Sequence, residues 1–121
     1  MQPVPRASVV RLGKYVDKLQ KSKPKPAAEI ELNELANLMN KVGFSGPHNK
    51  RGVARAFSHE LLQQKSRLVD GQFTVHIVHH SKVPVICYRD FKEYVLPYIE
   101  EVLIELERQN LIQEEDPNVQ F

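Results

Sequence analysis

Between Gly71 and Arg89 the hydrophobic rhythm of the chain changes, and that change restricts the fold more than any other feature of the sequence. In "GQFTVHIVHHSKVPVICYR", Phe73, Val75 and Ile77 alternate with Thr74, His76 and Val78, the period-two pattern of a strand that buries one face. The run "VPVICY" at 83–88 is β-branched and aromatic and predicts the returning strand of a hairpin, with Pro84 favouring an edge. "HSK" is the turn between them, although it lacks the glycine or asparagine that tight hairpins prefer. Elsewhere the apolar residues recur at helical spacing. A chain that mixes the two periods in blocks belongs to the α+β class.

The first helix is expected over "SVVRLGKYVDKLQK" (8–21), with Ser8 as N-cap. Val9, Leu12, Val16 and Leu19 share one side with Tyr15 beside them, and Lys14, Lys18 and Lys21 share the other. Gly13 costs this helix about 1 kcal/mol relative to alanine. Residues 21–27 form a basic Pro/Lys linker, because proline cannot continue a helix. A second helix fits "IELNELANLMNKVGF" (30–44), with Leu35, Leu38, Met39 and Val42 on its stripe and Gly43 at the C-cap position. The spacing predicts a third helix from about Asn49 to Lys65. Val53, Ala56, Phe57 and Leu61 would face inward, and Arg51, Arg55 and Ser58 outward with His59 and Leu62.

After the strands, Asp90 with Glu93 three residues on resembles a capping box that opens a last helix. Pro97 should kink that helix or restart it as a first-turn residue. Ile99, Val102, Leu103 and Leu106 form its stripe, while Ile104 and Leu111 suggest a second apolar seam. Residues 113–121 read as an irregular tail, with a short hairpin of "LIQ" and "VQF" as the other option. The 121 residues are enough for one domain over 1–121 with a single core.

No apolar run approaches the roughly 20 residues of a membrane helix. The opening "MQPVPRAS" lacks the basic end and apolar core of a secretory signal. A single cysteine, Cys87, cannot form an internal disulfide and fits a reducing cytoplasm. The net charge of +2 hides a division: Met1 to Ser58 holds 11 basic against 4 acidic residues, and His59 to Phe121 holds 6 against 11. A basic half can draw a polyanion.

Three helices, a β-hairpin and a C-terminal helix give a winged-helix-like outline. In that geometry the third helix enters the major groove and the hairpin touches neighbouring phosphates. Arg51 and Arg55 would then be the groove residues, since a guanidinium can donate two bonds to guanine. Lys50, Ser58 and His59 would flank them, and Lys82 would meet phosphate from the hairpin tip. The function expected is that of a small DNA-binding protein, a transcription regulator or accessory factor. Two copies would pair as a homodimer through Ile104 and Leu111 to match two half-sites.

A second reading is a protein-interaction module anchored by Leu62, Ile104 and Leu111, with no nucleic acid. A third takes "GFSG" (43–46) as the clamp loop of a KH-like RNA-binding module. His76, His80 and Cys87 are ligand types for zinc, or for a Cys–His catalytic pair, if the hairpin register brings them together. That set lacks a fourth ligand and the paired spacing of a zinc module. No phosphate-cradling loop is present, so no cofactor and no enzymatic activity are expected.

Overall fold

The computed structural model describes residues 1–63, 68–78 and 82–115. Among these, the order is β1 (Val4–Pro5), α1 (Arg6–Lys21), β2 (Glu29–Glu31), α2 (Leu32–Asn40), β3 (Ser45–Asn49), β4 (Ala54–Ser58), β5 (Gln72–His76), β6 (Val85–Cys87), α3 (Tyr88–Tyr94), α4 (Leu96–Arg108) and β7 (Ile112–Gln113). Short 3-10 turns occupy Glu60–Leu62 and Val69–Gly71. The class is α+β, with four α-helices and mostly antiparallel strands among the described residues. None of the described helices is long and apolar enough to cross a membrane.

The described residues form three small sheets: β1 pairs β7 in parallel, β2 pairs β6 antiparallel, and β3, β4 and β5 form an antiparallel meander. The meander corrects the sequence expectation in two places. The helix expected over 49–65 is instead a β-ribbon followed by a 3-10 turn. Lys50 N–H bonds the Ala54 carbonyl at 3.0 Å, leaving Arg51–Val53 as the turn, with Gly52 at φ +64°. Glycine reaches that left-handed region without the steric cost a Cβ brings, and three-residue hairpin loops favour it there. The second correction concerns the expected hairpin of 73–78 with 83–88. β5 pairs β4, β6 pairs β2, and among the described residues one bond, Val78 N–H to Val85 C=O at 2.9 Å, ties the two together.

The remaining elements follow the periodicity. α1 begins two residues before Ser8, with Pro5 at its cap and no side-chain cap bond. The second helix shortens to α2, because Glu29–Glu31 is drawn into β2. α3 begins at Tyr88, so Asp90 lies in its first turn rather than at its cap. Pro97 restarts the helix in the first turn of α4, as its ring geometry requires. β7, within "LIQ", pairs β1 in parallel; "VQF", and with it the expected alternative hairpin, lies outside the described residues.

One core joins the layers. Leu12 and Val16 of α1, Leu32, Leu35 and Met39 of α2, and Ile99, Val102 and Leu106 of α4 are buried together with Phe91 and Ile86. The sheet adds Phe57, Phe73 and Val75. Phe57 and Phe73 are directly opposite across β4 and β5 and stack at 5.8 Å, and Phe73 stacks on Tyr98 of α4 at 4.6 Å. Such aromatic pairs add to the area they bury and lock the sheet onto the helix. Phe57 is fully buried, so β4 is the strand on which the sheet depends.

Candidate functional site

The β3–β4 ribbon and the chain leaving β5 end on the same side of the meander. Ile77 N–H bonds the Val53 carbonyl at 3.0 Å, so the chain that goes on to Lys82 departs beside the ribbon turn. Lys50 and Arg51 are exposed on the turn and Lys82 is exposed on the connection to β6. Among the described residues no carboxylate pairs with any of the three.

The sequence around them is devoid of acid. No Asp or Glu occurs between Glu34 and Glu60, or between Asp70 and Asp90. These two spans contain all three strands of the meander and the connection from β5 to β6, while the link from β4 to β5 carries Glu60 and Asp70. The missed signal was therefore local. A balance taken over halves of the chain dilutes a carboxylate-free stretch by including the acids on either side.

The other expected contact residues take different places. Arg55 is half-buried on the face of β4 that carries Phe57, opposite Val75. Its guanidinium donates to the Gly52 carbonyl at 2.9 Å and the Ala54 carbonyl at 3.0 Å, so it braces the turn instead of projecting from it. Ser58 is half-buried opposite Gln72 and Ser45. The pairing of Arg51 and Arg55 on one helical face is overturned with the helix.

His59, expected at the surface, is 2% exposed. Leu61 N–H donates to its Nδ1 at 3.1 Å, which leaves Nε2 to carry the proton and donate to the Val42 carbonyl at 2.9 Å. Both nitrogens are thus used by a neutral ring, and burial holds its pKa below the usual histidine value. The ring meets Phe44 edge-on at 4.7 Å and lies against Gly43, where a Cβ would come within 2.8 Å of Nε2. His59 is therefore a clamp between the end of β4 and the loop after α2. Leu62 is also fully buried, which removes it as a partner anchor.

The KH-like reading needs a loop between two helices, but "GFSG" joins α2 to β3, and Gly46 lies inside the strand. Of the proposed dimer seam, Ile104 is 65% exposed, while Leu111 is half-buried against the core. His76 lies on β5 and Cys87 on β6, where its partner across the ladder is Glu29; His80 is outside the described residues. No group of three or more potential metal ligands forms among the described residues. Ser45 Oγ and His48 Nε2 lie 2.8 Å apart on β3, both exposed, and no carboxylate among the described residues orients the imidazole. The arrangement offers cations and main-chain groups for binding.

Comparison with protein-family models, curated proteins and solved structures finds no match to this chain.

Proposed function

We propose that this protein binds a DNA duplex through the turn of the β3–β4 ribbon, with Lys50, Arg51 and Lys82 meeting the phosphate backbone. The observation that carries the reading is the set of carboxylate-free strands with cations at one end that pair with no acid among the described residues. A two-stranded ribbon is one of the two elements that the major groove admits. Arg51, exposed at the tip, is the residue with the reach and the planar fork to touch a base edge; Lys50 and Lys82 act as point charges on phosphate. Arg55 serves indirectly, by bracing the turn. Leu111 is half-buried, so dimerisation does not enter the proposal.

The test is a salt titration of binding to random duplex DNA, single-stranded DNA and RNA, side by side. Three neutralised phosphates predict a log–log slope of about −2.7, so duplex affinity should fall roughly forty-fold between about 50 and 200 mM salt. Replacing Lys50 and Arg51 by alanine together should make that slope shallower by about 2. A slope near zero, or an unchanged slope in the double variant, rejects the ribbon as the contact.

A further inference from the structure

The two edges of the meander are built differently. On β3 the residues that turn their main-chain groups away from β4 include Pro47, which has no N–H, and the strand is bulged between Ser45 and His48. Proline and bulges are the devices that stop an edge from accepting another strand. β5 has neither. Its pairing with β4 is regular from Gln72 to His76.

The direction of the free groups on β5 follows from the ladder. Ile77 N–H points to β4, so the odd residues Phe73 and Val75 do likewise, and Thr74 and His76 turn their N–H and C=O outward. Val78, next in the outward series, bonds the Val85 carbonyl of β6. The following step would join His76 to Cys87, whose main-chain groups also face away from β2, but no such bond forms among the described residues, and the chain continues with Tyr88 N–H on the Ala28 carbonyl. Among the described residues β6 therefore meets the meander through this one bond and does not continue along β5. Thr74 and His76 are left exposed, with no backbone partner on that side among the described residues.

Where β6 departs, a cleft of about 460 Å³ opens between β5 and α3, lined by Thr74, Val75, His76, Arg89, Asp90 and Tyr94. Tyr94 is half-exposed over it, and Arg89 and Asp90 neutralise one another at 3.6 Å. From Gln72 to His76 the edge runs about 13 Å, the length of a short strand.

We propose that this cleft is a docking site for one extended segment of a partner protein, which adds to β5 as the strand that β6 fails to complete. The main-chain bonds go to Thr74 and His76, and the neutral wall with its exposed ring selects an uncharged segment with an apolar side chain on Tyr94. A single segment fits; a second copy pairing β5 to β5 would bring its own α3 to the same edge. The inference is independent of DNA binding, because the ribbon turn and the β5 edge use different groups.

The probe is a displayed library of random linear octapeptides, panned on the full chain, with the enriched sequences then made as free peptides. They should be proline-free at the centre, with alternating apolar residues. On binding, amide exchange at Thr74 and His76 should slow, while Phe73 and Val75, already bonded to β4, should not change. Thr74→Pro removes the outward donor without taking a bond from β4 and should weaken peptide binding at least ~tenfold; Tyr94→Ala should weaken it several-fold. Exchange in the unaltered chain decides the matter should Thr74→Pro not fold. Failure to enrich any peptide, peptide binding that leaves exchange at Thr74 and His76 unaltered, or protection of these amides that grows with protein concentration alone would each overturn the proposal, the last in favour of a second copy.

Discussion

On the helical side of the molecule cations and carboxylates are interleaved. Arg6 at the start of α1 bonds Glu107 and Glu114, Lys21 pairs with Asp17 at 2.8 Å, and Arg108 pairs with Glu105. Even Tyr15 is affected: burial, then the charges of Glu34 and Glu31, push its hydroxyl up to about 12. On the sheet side the strands carry no carboxylate, and Lys50, Arg51 and Lys82 pair with no acid among the described residues. Arg6, Lys21 and Arg108 are each neutralised by a neighbouring acid, whereas among the described residues the three cations of the meander end are not. Exposed ion pairs contribute little to stability, and they also silence the local field. A cation's use is set by whether an acid stands next to it.

The most damaging test of this contrast removes the platform. Phe57→Ala should destabilise the fold by roughly 3–5 kcal/mol in chemical denaturation, because the ring is fully buried between Phe73 and the helical core. It should take the ribbon and the proposed DNA contact with it. Next in size is the triple change Lys50→Ala, Lys82→Ala and Arg51→Ala, which should lower duplex affinity at least ~tenfold at low salt. Stability should stay within about 0.5 kcal/mol, as exposed positions away from special features usually allow.

A third test uses the clamp beneath the sheet. The folded state holds the His59 pKa low, so as pH falls below about 6.5 the unfolded chain binds a proton that the native ring refuses. Stability from this group is complete above that pH and is lost progressively below it. The urea midpoint should therefore drop between pH 7.5 and 5.5, and His59→Gln should remove that part of the drop. The smallest effect belongs to the helical side: Arg6→Ala should leave duplex affinity unaltered and barely move the melting temperature, since its partners are exposed. A loss of DNA binding in Arg6→Ala would erase the distinction between the two regions.

The sequence carried the helices well, because α1, α2 and α4 each present a wide apolar stripe, and β5 announced itself by clean alternation. The ribbon was hidden for a physical reason. One face of β4 carries Arg55 beside Phe57 and the other carries Ala54, Ala56 and Ser58, with Ala56 also buried, so polarity does not alternate. Meanwhile Val53, Ala56, Phe57 and Leu61 fall by coincidence at helical spacing. "NKRG" was the available clue, a turn with glycine where a left-handed residue is needed. Of the residues expected to project outward, Lys50, Arg51 and Lys82 are exposed, while His59 and Leu62 are inside because β4 ends where a helix was expected to continue. The partnering of β6 with β2 had no local signal, since strands choose neighbours through the tertiary fold.

The most direct measurement of the DNA proposal is amide chemical-shift mapping of the full chain during titration with a short random-sequence duplex. The largest changes should fall on Asn49 to Val53 and on Lys82, with α1 and α4 quiet. Changes centred on the lysines of α1, or none at all at a duplex excess, would contradict it.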